Sequence, residues 1–192
     1  MVNNIPRWND NTREERYFTA VLFQALISNE TPFWRLVRPR LQIPETVTVV
    51  DVGYEVCLLR DLAHACHIVR ERRVRALEKQ TVDFVITLSD SSLVLIEAKA
   101  HQRFSIRQIN NMFLTREILL ANTSVGISDV HIAGLHSSKY DPINVRAQFP
   151  SFALSTWKEL ANIYPGMRCR FQGLGGTEAQ HPFLRANEIY NN

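Results

Sequence analysis

The sequence predicts an α/β domain in which a central mixed β-sheet is flanked by α-helices. Three observations carry that prediction. Residues 82–88 and 93–98 are runs rich in β-branched and large apolar side chains, joined by the polar cluster Ser89-Asp90-Ser91-Ser92, which is a hairpin pattern. Downstream, apolar runs at 130–135 and 152–155 alternate with helix-period segments at 105–121 and 157–164, the alternation that builds a sheet covered by helices. The 192 residues, 45% hydrophobic and 21% charged, suffice for one substantial core, so a single domain over 1–192 is expected.

In chain order, residues 1–10 are polar, contain Pro6 and read as a loose arm. A helix follows, capped by Asn11 or Thr12, with Glu14 and Glu15 in its first turn and an apolar face built on Tyr17, Phe18, Val21 and Leu22; it stops near 28–32. Residues 33–44, with Trp34, Arg35, Arg38, Pro39 and Arg40, read as an irregular basic connection. The β-branched run 47–59 reads as a strand in which Gly53 marks a break or bulge, and its Asp51 and Glu55 are expected to face outward, the alternative for either being an extra acid near a metal site. Residues 60–80 are charged and helical in part. The 105–121 helix is expected to bury Ile106, Ile109, Met112, Phe113 and Leu119/Leu120. Pro165-Gly166 ends the 157–164 helix, and 173–192 reads as loop-like.

Composition narrows the function classes. A net charge of +3 permits a polyanionic partner without demanding one. Cys57, Cys66 and Cys169 have no CxxC spacing and cannot all pair, which argues against a disulfide framework or a zinc site. No secretory leader pattern opens the sequence and no apolar run reaches the length of a membrane span, so a cytoplasmic, intracellular protein without a membrane partner is expected. His64 and His67 have no third ligand nearby. Gly173-Leu-Gly-Gly lacks the Lys-Ser/Thr of a phosphate loop, and no Gly-x-Ser-x-Gly elbow occurs.

The chemistry concentrates in the hairpin. Asp83 near the start of its first strand and Glu97 and Lys99 near the end of its second lie at the same end. Spacing of two puts Glu97 and Lys99 on one face, and Asp83 joins them if the closing loop has an odd number of residues, which is the register adopted. Two carboxylates and an ammonium are costly to bury unless they satisfy one another or a metal ion. Carboxylate oxygens suit Mg²⁺, whose shell is completed by water and by substrate phosphate.

Asp83, an apolar strand, and then Glu97-Ala98-Lys99 resemble the motif of the PD-(D/E)XK nuclease superfamily, with Val82 where the namesake motif has proline. The resemblance covers about residues 13–135. It implies a restriction-endonuclease-like fold and Mg²⁺-dependent hydrolysis of phosphodiesters, in DNA and by an endonuclease, with Mn²⁺ able to substitute. Asp83 and Glu97 would be metal ligands together with the Ala98 carbonyl, and Lys99 would act on water and phosphate. The helix before the sheet would add an acid, Glu15 in preference to Glu14, and the helix after the hairpin a glutamine, Gln108 with Gln102 as the competitor. Arg70, Arg72 and Arg73 ahead of the hairpin and Arg103 and Arg107 behind it are the expected nucleic-acid contacts. A homodimer is one way such a small nuclease would cut both strands. The alternative is a nuclease-like fold serving as a non-catalytic DNA-binding or protein-interaction module.

Overall fold

Runs that are apolar at consecutive positions, such as Val94-Leu95-Ile96 and Ile132-Ala133, have no polar face to turn to solvent and must be covered on both sides. In the computed structural model, which describes residues 14–170 and 179–190, these runs lie inside a five-stranded mixed sheet. Its strands are β1 (Val49–Val56), β2 (Val82–Leu88), β3 (Leu93–Ala98), β4 (Val130–His136) and β5 (Ala153–Thr156), in that spatial order. β1, β2 and β3 pair antiparallel, whereas β3, β4 and β5 pair parallel. The helices are α1 (Glu14–Ser28), α2 (Thr31–Val37), α3 (Leu58–His64), α4 (Arg72–Leu77), α5 (Ile106–Ala121), α6 (Ile143–Gln148), α7 (Trp157–Ile163) and α8 (Pro182–Glu188). A separate two-stranded ribbon joins β6 (Cys169–Arg170) to β7 (Ala179–Gln180).

Side-chain alternation divides the sheet between two cores. Phe84, Ile86, Val94, Ile96 and Leu135 pack with Leu22 of α1, Trp34 of α2 and Trp157 of α7. Val85, Leu95 and Ile132 point the other way, onto Ile109, Met112 and Leu119 of α5. Each large side chain buried in this way contributes about 1.5–3 kcal/mol, so both layers are held chiefly by apolar area. At Gly134 the second layer presses directly on the backbone: a Cβ there would lie 2.7 Å from Phe104 Cζ and closer still to Phe152.

The hairpin closes on three residues, Ser89 to Ser91. Leu88 N–H donates to the Ser92 carbonyl (2.9 Å), and Ser91 takes a left-handed backbone at φ 65°. This is the three-residue hairpin geometry. Asp90 Oδ1 fixes it by accepting from Ser92 N (3.1 Å) and Ser92 Oγ (2.6 Å). The odd loop sets the register Phe84↔Ile96 and Val85↔Leu95, which places Asp83 opposite Glu97.

Several stretches differ from the sequence reading. Residues 33–44 are not irregular: Pro32 starts α2 at a position where its missing N–H has no helical partner anyway, and Trp34 Nε1 anchors the turn to the Val47 carbonyl at 3.1 Å. The strand expected over 47–59 is shorter, because Cys57 leads into α3 and buries Leu59 there. Its irregularities fall between Val49 and Asp51 and at Glu55, while Gly53 pairs regularly with Val85. Tyr17 and Leu120, expected on buried faces, are exposed, and α6 was not anticipated. The described part of the segment read as loop-like holds β7 and α8, with Phe183 and Ala186 fully buried. The arm 1–10, the caps Asn11 and Thr12, and Gly173, Gly175 and Gly176 lie outside the described residues. Among the described residues no helix is long and apolar enough to cross a membrane.

Candidate active site

The rim of the sheet at the end of β3 is where helices from both faces meet. α1 belongs to one core and α5 to the other, and the first turn of each reaches the hairpin end. Glu15 of α1, Asp83 of β2, Glu97 and Lys99 at the end of β3, and Gln108 of α5 line one cavity of about 370 Å³. Four separate segments therefore deliver the five side chains.

Lys99 is the hub of the polar contacts. Its Nζ lies 2.6 Å from Glu97 Oε1 and 3.3 Å from Glu15 Oε1. Gln108 Nε2 also donates to Glu97 Oε1 at 2.6 Å, and Ser105 Oγ, which caps α5, accepts from the Gln108 N–H (3.4 Å). Glu15 Oε2 accepts from the Ala100 N–H (3.3 Å), and Asp83 Oδ2 from the Ala98 N–H (2.7 Å). Ala98 thus supports the site through its N–H, holding the Asp83 carboxylate against the β3 backbone. Trp157 Nε1 donates to the Lys99 carbonyl at 3.0 Å, which fixes the chain just where β3 leaves the sheet.

The charges do not balance. Glu97 is 2% exposed and its Oε2 is buried with no hydrogen-bond partner. Burial, followed by the negative charge of Asp83, pushes the Glu97 carboxyl above the ordinary carboxylate range. Burial likewise raises Asp83, against the pull of the Ala98 N–H and of Lys99. Lys99 is itself buried, which opposes its charge, but the carboxylates of Glu97 and Glu15 outweigh that and hold the ammonium protonated above its usual value. Four carboxyl groups, those of Glu15, Glu55, Asp83 and Glu97, thus line the cavity with three cations, Arg16, Lys79 and Lys99, and burial drives Asp83 and Glu97 toward keeping their protons unless a cation takes the proton's place.

Clustered carboxyl groups held above their ordinary pKa and an orphaned Glu97 oxygen fit a hard, oxygen-preferring divalent cation such as Mg²⁺. As the side chains stand, no three His, Cys, Asp or Glu residues among the described residues are gathered closely enough to hold a metal ion. The Lys99 ammonium occupies the place between Glu97 and Glu15.

The sequence reading and the structure part company at the periphery. Glu55, expected to face outward, lines the cavity instead: a left-handed backbone at φ 50° re-aims it, and its Oε1 pairs with Arg16 Nε at 3.1 Å. Asp51 is exposed and its Oδ1 accepts from the Val52 N–H. Lys79, Gln80 and Thr81, just ahead of β2, also reach the cavity, and Gln80 Oε1 is buried there without a partner. No local sequence signal marks Gln80 or Glu55, because one arrives by tertiary packing and the other by a single unusual φ. Gln102 is exposed and outside the cavity, and the side chain of Glu14 lies outside the described set.

None of the five arginines expected on nucleic acid lines the cavity. Arg70 is committed to a two-pronged pair with Glu78 (2.5 and 2.6 Å), and Arg73 reaches Glu117 of α5 at 3.0 Å. Arg103 Nε donates to the Tyr190 hydroxyl (3.4 Å), which leaves Arg72 and Arg107 exposed and without a side-chain partner among the described residues. Comparison with family models, curated proteins and solved structures returns no match for this chain.

Proposed function

We propose that this chain is a divalent-cation-dependent nuclease of the PD-(D/E)XK type, with a restriction-endonuclease-like fold, that hydrolyses phosphodiester bonds in DNA. The observation that carries the reading is the meeting of Asp83, Glu97 and Lys99 with Glu15 and Gln108 in one cavity where Glu97 Oε2 is buried without a partner. Asp83 and Glu97 would hold Mg²⁺ or Mn²⁺, with Glu15 and the Ala98 carbonyl as further oxygen donors. When bound, the cation supplies Lewis-acid polarisation of the phosphate and lowers the pKa of water.

The chain's own residues divide the remaining work. Gln108 fixes the Glu97 carboxylate through Oε1 and leaves Oε2 free for a ligand. Glu15 holds Lys99 within reach of the site through its Nζ contact. The Lys99 ammonium would orient the attacking water and stabilise charge on the phosphate oxygens, a role that needs it to leave Glu97 when a stronger cation takes its place. Glu97 and Lys99 are themselves buried against the sheet, which strengthens the contact between them.

The test is incubation of the full chain with linear and circular duplex DNA, single-stranded DNA and RNA in Mg²⁺ or Mn²⁺ against EDTA, resolved on a gel. Cleavage of DNA that EDTA abolishes is expected. Absence of cleavage of every form with either metal would leave the fold as a binding module only.

A further inference from the structure

Beyond the carboxylate cavity, the same rim holds a second one that the proposed chemistry does not use. It has a volume of about 550 Å³ and opens at the ends of β4 and β5, lined by His136, Thr156 and the 138–142 loop, with Arg146 of α6 beside them. The register Ala98↔Leu135 and His136↔Thr156 carries Lys99, His136 and Thr156 across neighbouring strands at one level. Because neighbours in a parallel sheet present equivalent residues to the same face, Lys99, His136 and Thr156 all point to the α5 face of the sheet. Phe104 packs beside the second cavity, its ring edge-on to His136 at a centroid distance of 6.0 Å.

Three observations mark this cavity as a built site. His136 is 4% exposed, and its Nδ1 meets the Ser137 carbonyl at 2.7 Å. A carbonyl only accepts, so Nδ1 carries the proton and Nε2 is left as a bare acceptor, with no hydrogen-bond partner among the described residues. Around this ring stand three cations, Arg40, Lys139 and Arg146, against two carboxylates, Asp141 and Glu159. Arg40 and Glu159 neutralise each other (2.6 Å), and Glu159 further caps α7 through Thr156. Arg146 makes no ion pair among the described residues, and Lys139 Nζ has only the Glu188 carbonyl, at 3.1 Å. Two uncommitted cations therefore face one carboxylate, Asp141.

We propose that this cavity is a nucleotide subsite of the same active site, in which Arg146 and Lys139 seat a phosphate of the substrate strand while His136 Nε2 accepts from the sugar or base of that nucleotide. The inference rests on the nuclease reading. Strands about 4.8 Å apart put His136 and Thr156 roughly 5–10 Å from Lys99 across the sheet, a span of one to three nucleotides for a strand that advances at least about 3.4 Å per phosphate. The arginines of 70–73 and 103–107 are then peripheral, and the strand follows the sheet rim instead.

Two measurements on the full chain test this. Inorganic phosphate, titrated into protein with ring-labelled histidine, is expected to shift the His136 signals saturably in NMR, an effect lost in Arg146→Glu; His136→Gln assigns the signals. A labelled single-stranded oligodeoxynucleotide in Ca²⁺ is expected to bind Arg146→Glu/Lys139→Glu at least about tenfold more weakly, with the salt slope reduced by about one per contact removed. Both side chains are exposed, so these variants fold. An unmoved His136 ring together with unchanged oligonucleotide affinity overturns the inference, and Mg²⁺-dependent cleavage by the same preparation would show that the nuclease reading survives it. Failure of the wild type to bind or cut any nucleic acid, with the phosphate shift retained, overturns the nuclease reading and the substrate-strand part of this inference with it.

Discussion

At the scale of single residues, the site is built against stability. Glu97 is a desolvated carboxylate with one oxygen unpaired and with Asp83 opposite it in register. Replacing it by the neutral isostere, Glu97→Gln, keeps the Gln108 contact and removes the desolvated ionisable group. The metal-free variant is expected to be more stable than wild type at neutral pH by about 0.5–2 kcal/mol, measured by thermal or denaturant unfolding. A purely structural Glu97–Lys99 pair predicts the opposite sign, since breaking a buried pair is costly. Ca²⁺ is expected to raise the wild-type Tm and to leave that of Glu97→Gln unmoved, because only a ligand that binds the folded site stabilises it. His136 gives the pH dependence. Burial holds its imidazole below the ordinary histidine value, with Arg146 adding to that effect and the Ser137 carbonyl, Glu159 and Asp141 opposing it. A depressed folded pKa means that the unfolded chain takes up the proton first, so stability is full above the ordinary histidine pKa and falls as pH drops through it toward the folded value. Unfolding midpoints at several pH values should show that acid loss reduced in His136→Gln.

At the scale of elements, the hairpin is both the most legible part of the chain and the part on which the site depends. β2 and β3 begin and end where alternation and the Ser89–Ser92 cluster place them, because two apolar runs around a polar tetrad admit few other pairings. The register followed from an odd loop, a choice the sequence leaves open and the Asp90–Ser92 hydrogen bonds decide. Ser91 holds a left-handed φ of 65° that glycine adopts without cost, so Ser91→Gly is expected to stabilise by about 0.5–1 kcal/mol and leave activity intact, read by thermal melts and a cleavage assay. Gly134 is the converse case. Phe104 and Phe152 close over it, and Gly134→Ala is expected to destabilise by about 1–3 kcal/mol in denaturant unfolding, since neither ring can retreat from a packed core without strain. A neutral result there would mean that the aromatic layer over β4 is looser than its contacts imply.

At the scale of the whole molecule, five strands in mixed order bring together side chains from residue 15 to residue 108, and that convergence is what single-sequence periodicity captures only in part. Asp83, Glu97 and Lys99 were legible because charges stand out in apolar strands, whereas Glu15 and Gln108 came only from the family resemblance, with Glu14 and Gln102 as their competitors. Glu55 was not, since nothing in Val-Gly-Tyr-Glu-Val announces a left-handed residue. The arginines are a related case: charge density along the chain cannot reveal that Arg70 closes on Glu78 or that Arg73 crosses to Glu117. α8 escaped notice because its helix is short and owes its place to burial of Phe183 and Ala186 against the rest of the fold. On the proposed reading, the charge-rich cavity at the end of β3 serves metal-dependent phosphodiester chemistry. DNA cleavage in Mg²⁺ and in EDTA, measured for wild type and Glu97→Gln side by side with both proteins shown to be folded, decides it. Cleavage by the wild type in Mg²⁺ only is expected, with a loss of about 10³-fold or more in the variant, several kcal/mol of transition-state stabilisation. Cleavage by Glu97→Gln at the wild-type rate, or wild-type cleavage that persists in EDTA, would contradict it.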